Sequence, residues 1–437
     1  MPDKLQQARE IILQKIENGE FAGGSRLPAV REFCEATGTS LTIAQLAFHS
    51  LTRDGILSII PRQGTYVRAD WHERILPGSI HSFRPIWENL LKEMVLPLQP
   101  DLRICDKFSE SAYEIRPSAD AFFRQNEYLD LREFIKDIEK EQNDFFTSRF
   151  QSFCSRNGKI YGIPLIFSPW VIVYNPEIIE KHGGTLPRAG WGWEEFLELI
   201  RTLRRELSPD QICNFFYNPF FWRCLLFRAG GAILHRDENG IYHIELDSPR
   251  SREGLRRLAE MADAIQLSPD EKILPHSIWD FERGRHALIL ASREDVNFQS
   301  KRPWQSVPLP LLPGGTDQIS MATDLLCVRR IVNDFEQVRQ LLEMLLSPRI
   351  QNRVDELRYG IPIRRSSAVR SLLDDDPRDR AFFSEMLKIV PDYSLEWPEI
   401  NRLVSNAIPL IWKKKVAPDQ LIDELVPGLR LLLRYYA

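Results

Sequence analysis

The run Gly24-Ser25-Arg26-Leu27-Pro28-Ala29-Val30-Arg31-Glu32-Phe33-Cys34-Glu35-Ala36-Thr37-Gly38-Thr39-Ser40 describes a short helix held between two stops. Pro28 sits near the first turn, where an absent N–H costs nothing and a fixed φ helps. Val30, Phe33 and Ala36 continue the helix, and Gly38 ends it. Thr39 or Ser40 then caps a second helix, on which Ile43, Leu46, Ala47 and Leu51 are expected to share the inner side before Gly55 stops it. Upstream, Leu5, Ala8, Ile12 and Ile16 recur at helical spacing and Gly19, Gly23 and Gly24 open the loop. Downstream, 56–60 and 65–67 read as short strands around Pro61-Arg62-Gln63-Gly64. Helix, helix, tight turn, helix and hairpin is the plan of a winged helix-turn-helix.

At 437 residues the chain is long enough to favour two or three domains over one. Hydrophobic residues at 43% and charged residues at 27% are those of an ordinary globular protein. Met1 to Glu20 carries four acids and no basic start with an apolar core, so no signal peptide is expected. No apolar run has the ~18 residues a membrane span needs. The expected location is cytoplasmic, with no membrane partner. Six cysteines without CxxC spacing are expected to be free thiols, and eight scattered histidines show no metal-ligand spacing. No HExxH, GxSxG, GxxxxGK[ST] or GxGxxG is present, so no catalytic residue, metal or cofactor is expected and the chain is read as a non-enzyme.

Residues 70–82 contain Pro77-Gly78-Ser79 and no clear period, so 71–82 reads as a linker between domains 1–70 and 83–437. Beyond it, short apolar runs at 160–167 and 170–174 alternate with amphipathic helices at 194–206, 252–264, 335–346 and 420–435. That alternation argues for α/β layers.

Two resemblances sharpen the reading. Asn18-Gly19, Gly24 to Arg31, Gly38-Thr39-Ser40, Leu51-Thr52-Arg53-Asp54-Gly55 and Gly64-Thr65-Tyr66-Val67 occur in the order of the GntR-type DNA-binding domain. Gly158-Lys159-Ile160-Tyr161-Gly162-Ile163-Pro164, Val173-Tyr174-Asn175-Pro176 and Trp191-Gly192-Trp193-Glu194-Glu195-Phe196 resemble the family 1 extracellular solute-binding proteins, the maltose-binding-protein-like group. Ser118 to Phe123 resembles an early strand of that family. Trp222 with Gly230-Gly231 and Asp237, Trp279 to Gly284 before Ala287 to Leu290, Pro308-Leu309-Pro310 with Gly314-Gly315, and Gly360-Ile361-Pro362 continue the series. The fold implied is multidomain: a winged helix-turn-helix plus a two-lobed α/β clamshell of the type 2 periplasmic-binding-protein kind.

The first resemblance implies DNA contacts from Arg31, from Ser40, Thr42 and Gln45 at the recognition-helix start, and from Arg62, Gly64 and Thr65 at the wing. Gln45 can pair with adenine. The family's arginine after the position of Ser40 is Leu41 here, which leaves operator specificity open. Residues 1–70 hold eight basic and eight acidic groups, with the acids gathered away from turn and wing. So balanced a domain gains from binding as a dimer on two half-sites.

The second resemblance implies a small-molecule effector, a sugar or oligosaccharide, in the cleft. Sugar C–H faces stack on aromatic rings and hydroxyls need polar partners. Trp170, Trp222, Tyr161, Trp279 and Trp304 are the candidate platforms, with Phe216 and Tyr217 behind them. Asp120, Arg293, Glu294 and Asp324 are the candidate hydroxyl ligands, and each reads equally well as a surface charge. The expected partners are operator DNA, the effector and a second copy of the chain. The rival readings are a cytoplasmic carbohydrate-binding protein with a vestigial DNA domain, and a regulator carrying an aminotransferase-like domain.

Overall fold

The structure, a computed structural model, describes residues 4–105, 111–139, 144–145, 151–156, 158–216, 218–268, 278–373 and 376–436. Three helices, α1 (Lys4–Glu17), α2 (Val30–Thr37) and α3 (Leu41–Arg53), precede an antiparallel hairpin of β1 (Leu57–Ile60) and β2 (Gly64–Val67). Ile12 and Ile16 of α1, Phe33 of α2 and Ala44, Ala47, Phe48 and Leu51 of α3 are buried in one core. Gly38 ends α2 in the left-handed conformation, φ 71°, and Ser40 caps α3 by accepting from the Ile43 N–H at 3.5 Å. In one respect α3 departs from expectation. Leu46 points outward and is 49% exposed, while Ala44 and Phe48 take the inner positions.

The expected linker is largely a strand. β3 (Leu76–Ser82) lies inside a six-stranded sheet, parallel to β4 (Arg103–Ile104) and to β5 (Ser111–Pro117). Leu76 and Ile80 are buried, which drives the segment into the sheet despite Pro77-Gly78. Between Leu76 and Ile80 the register shifts, and Gly78 adopts φ 72° there. The proline and glycine therefore mark a bulge, not a loop. Ser118–Phe123, expected as a strand, is a short helix that follows β5.

The same sheet contains β6 (Ile163–Pro169). One residue, Trp170, separates it from β7 (Val171–Tyr174), the centre of a second, three-stranded sheet. There β7 pairs antiparallel with β8 (Leu288–Ala291) and β9 (Gln305–Val307). The chain then returns to the first sheet as β10 (Met321–Val328), antiparallel between β5 and β6. β11 (Ile361–Pro362) completes that sheet beside β6. Two sheets joined by repeated crossings make two lobes, and the β6–β7 and β9–β10 passages form the seam. The helices at Trp193–Arg204, Pro249–Ala264, Phe335–Leu345 and Pro418–Tyr436 match the expected positions within a few residues.

Among the described residues, no helix is long and apolar enough to cross a membrane. Cys34, Cys213, Cys224 and Cys327 are free thiols. Burial pushes Cys154, Cys213 and Cys224 up to about 12, far from thiolate chemistry at neutral pH.

Candidate functional site

The outer face of α3 presents Leu41, Thr42, Gln45, Leu46 and His49. Its N-terminal cap, Ser40, is exposed but spends its hydroxyl on the helix end. Arg31 is exposed on α2. In the hairpin, Ile60 pairs with Gly64 across a turn in which Arg62 takes φ 65° and Gly64 φ 122°. The turn is tight because the Arg26 side chain lies against Gly64, where a Cβ would meet Arg26 Nε at 2.8 Å. Arg62 is exposed at this tip and Thr65 half-buried beside it. The seven residues assigned to DNA thus lie on α2, on the start of α3 and on the hairpin tip, all reaching solvent.

Ion pairing explains how a neutral domain keeps a basic face. Asp54 pairs with Arg9 at 2.8 Å, and Asp70 with Arg68 at 3.0 Å and with Arg74. Those arginines hold Asp70 well below the usual carboxylate range, at about 2. Glu32 caps α2 through the Ala29 N–H. Glu10 and Glu17 are both taken by Arg103, a β4 residue of the other domain, with Glu10 at 3.1 Å. Arg26, Arg31 and Arg62 have no acidic partner among the described residues.

Arg103 also shows how the two domains meet. It is buried, and Leu76 and Cys105 from the same sheet edge belong to the core of the helical domain. Helix α1 therefore covers β4, the terminal strand of the six-stranded sheet. On either side of this contact lie cavities of about 440 Å³, bordered by Arg9, Arg53 and Tyr113, and about 670 Å³, bordered by Glu10, Lys92 and Arg103.

In the two-lobed unit the predicted platforms do not surround one open cavity. Trp170 is buried at the seam, stacked on Phe220 with centroids 4.8 Å apart, and its Nε1 has no hydrogen-bond partner among the described residues. Trp222 is 2% exposed inside the helix Phe221–Ala229, with the Arg223 guanidinium over its ring. Trp304 is buried and donates to the Asn297 carbonyl at 3.2 Å. The hollow beside it, about 10 Å³, is sized for a single water. Tyr161 belongs to a separate small cluster and donates to the Phe153 carbonyl at 2.9 Å. Asp120 is exposed. The side chain of Trp279 and all of Tyr217 lie outside the described residues, and Phe216 is buried.

What does converge at the seam is polar. Arg293, Glu294 and Asp324, read as possible surface charges, are instead buried. The Arg293 backbone N–H donates to the Ser168 hydroxyl oxygen at 2.7 Å, and its guanidinium donates to Asp379 at 2.8 and 3.0 Å. This ties the segment after β8 to the end of β6. One residue on, the Glu294 side chain is buried and neither carboxyl oxygen has a hydrogen-bond partner among the described residues. Arg84, at the start of the helix Pro85–Leu90, faces Glu294 at 3.9 Å, Asp295 at 3.3 Å and Asp324 at 3.4 Å. Trp87 Nε1 and the Tyr359 hydroxyl both donate to Asp324 Oδ2 at 2.9 Å, and Oδ1 has no hydrogen-bond partner among the described residues. Burial pushes the Glu294 carboxyl up to about 8, against the pull of Arg84 and with the help of Asp295 and Asp324. Arg84 escaped the sequence reading because it lies just past a strand taken for linker. Glu294 and Asp324 were singled out there, but a charge in an apolar run does not by itself say which way it faces.

The family model described as bacterial regulatory proteins, gntR family, matches residues 4–67. A comparison with curated proteins finds no match. Similar solved structures include the ABC substrate-binding protein Lmo0181 from Listeria monocytogenes in complex with cycloalternan. Its TM-score is 0.65 at 14% identity, over 80% of this chain and 97% of that one. UgpB from Mycobacterium tuberculosis, in complex with glycerophosphocholine, gives 0.65 at 16% identity over 83% of this chain and 99% of that one. The sugar-binding protein MalE from the phytopathogen Xanthomonas citri gives 0.63 at 15%, over 82% and 97%. At such identities the likeness is one of fold. Residues 4–67 are a domain of the gntR family of bacterial regulatory proteins, joined in one chain to a two-lobed unit with the fold of the ABC solute-binding proteins.

Proposed function

We propose that the chain is a transcriptional regulator whose operator binding is set by a small polyhydroxylated effector, a sugar or oligosaccharide, held between the two lobes. The reading rests on one observation above others. The seam between the lobes holds buried polar atoms that, among the described residues, have no hydrogen-bond partner: the Trp170 N–H, the Glu294 carboxyl oxygens, which face only the Arg84 guanidinium at 3.9 Å, and Asp324 Oδ1. Buried orphans of this kind cost free energy until something donates to them or accepts from them. A hydroxyl does both, so a polyhydroxylated ligand on an apolar frame suits an N–H donor such as that of Trp170 and carboxyl groups such as those of Glu294 and Asp324. Several similar structures are named for sugar ligands, cycloalternan and tagatose among them, while another holds glycerophosphocholine. The unpaired Arg26, Arg31 and Arg62 favour a working DNA face over a vestigial one. We further propose a homodimer on paired half-sites, because one such domain makes few phosphate contacts. The protein acts without catalysis, cofactor or metal in this proposal, and within the cytoplasm.

The test is a thermal-shift screen of the full chain against a carbohydrate library that includes glycerophosphocholine. A specific binder raises the melting temperature by mass action. Each binder is then titrated into the chain with and without operator DNA. A library with no stabilising member overturns the effector assignment.

A further inference from the structure

The proposal that this domain reads DNA leaves open what it reads, and the outward face of α3 narrows that. Residues 41, 42, 45, 46 and 49 lie on one side of the helix, opposite the buried Ala44, Ala47, Phe48 and Leu51. Leu41 is 44% exposed and Leu46 49% exposed. Between them stand Thr42 and Gln45. The base-facing start of this helix therefore carries two leucines, a threonine methyl and one carboxamide, and no arginine or lysine. The cations sit around it, with Arg31 on α2 and Arg26 and Arg62 at the hairpin tip. Such a layout complements a polyanion at its rim and an uncharged surface at its centre.

Each base pair offers a different centre in the major groove. Guanine presents two acceptors that arginine or lysine engages in a bidentate pair. This face has neither residue. Adenine presents an acceptor and a donor that match the Gln45 carboxamide. Thymine presents a C5 methyl, an apolar surface for Leu41, Thr42 and Leu46. The two leucines are exposed in the free protein, so covering a thymine methyl removes apolar area from water on both sides.

We infer that the recognition helix selects A·T base pairs chiefly through thymine methyl groups packed against Leu41 and Leu46, with Gln45 reading an adjacent adenine. The inference rests on the DNA-binding reading above. Arginine contacts elsewhere supply affinity without sequence preference.

The experiment selects duplexes from a random pool with the full chain, then resynthesises the winners with uracil in place of each thymine in turn. Uracil keeps every hydrogen-bonding group and loses only the methyl. The expected result is a half-site with at least two thymines at which the change weakens binding about three- to five-fold, the worth of one buried carbon. Leu41→Ala and Leu46→Ala, both at exposed positions that leave the core intact, should each abolish the uracil effect at one thymine. Leu41→Arg should recruit guanine at the corresponding position. Selected duplexes indifferent to uracil, or alanine variants that keep the full uracil effect, overturn this inference and leave the DNA-binding reading standing. A pool that yields no bound duplex overturns both.

Discussion

Glu294 shows what a single buried acid does to the whole chain. Its ordinary pKa is near 4.5, and in the fold it is pushed up to about 8 by burial. Below 4.5 the group is protonated in both folded and unfolded states and contributes nothing. Between about 4.5 and 8 the folded state holds a proton that the unfolded state has lost. Stability therefore falls as pH rises through that window and levels off above it. Glu294→Gln removes the titrating group, so its melting temperature relative to the parent should rise steadily from pH 5 to pH 8. A constant offset across that range would refute the raised pKa. A second prediction at this scale concerns the basic face. Arg31→Ala and Arg62→Ala should each weaken operator binding and reduce the salt slope by roughly one unit per lost phosphate contact. Unchanged affinity and slope in both variants would move the interface elsewhere. Trp222, by contrast, is a poor probe of ligand stacking. A side chain 2% exposed costs about 3–5 kcal/mol when cut to alanine, whatever it does for the ligand.

Among the elements, β3 is the instructive one. Gly78 has φ 72°, and a Cβ there would sit 2.3 Å from the Asp101 carbonyl oxygen. That neighbour is backbone and cannot swing aside. Gly78→Ala should destabilise the fold by at least ~1–3 kcal/mol, the cost of a strained left-handed residue before any clash, readable as a lower denaturation midpoint. An unchanged midpoint would mean that the strand is not bulged at that residue. The same feature explains the limit of reading the sequence. Pro77 and Gly78 are loop residues by every local rule, and only the parallel pairing of Leu76 with Ser111 and Ile80 with Tyr113, more than thirty residues along the chain, turns them into a bulge. The helices of residues 4–53 were legible because each carries its own stops and caps. The seam was not, because Arg84, Glu294 and Asp324 come from three distant segments with no shared spacing. Leu46 failed more narrowly: at i+3 from Ile43 it fits the stripe, but Phe48 and Ala44 fill the core better and turn it out.

At the scale of the molecule, the lobes and the DNA domain share a structural member. β3 begins at Leu76, within the core of the helical domain, and two residues after its end Arg84 faces Glu294, Asp295 and Asp324. One short strand thus connects the seam to the base of α1, and Arg103 on the neighbouring strand clamps α1 through Glu10 and Glu17. If the chain is the regulator proposed above, a rearrangement at the seam has this strand as a route to the DNA-binding domain, and an effector would shift DNA affinity only by its preference between the two states, typically ~1–3 kcal/mol. Arg103→Ala should loosen the clamp by about 1–3 kcal/mol, a partly exposed pair being worth less than a buried one. Calorimetry should then resolve a separate, earlier transition for the helical domain, and effector should lose most of its influence on operator affinity while its own affinity stays the same. Retained influence in that variant would show that the strand and the clamp are not the route. The clamp also bears on portability. A sensor grafted onto a foreign DNA reader normally needs only a tolerant tether, but here the acceptor must bring acids where Glu10 and Glu17 stand and an apolar seat for Leu76 and Cys105. Without them the graft leaves a charged, greasy strand edge bare, and the chimera should precipitate before it can be asked whether it signals.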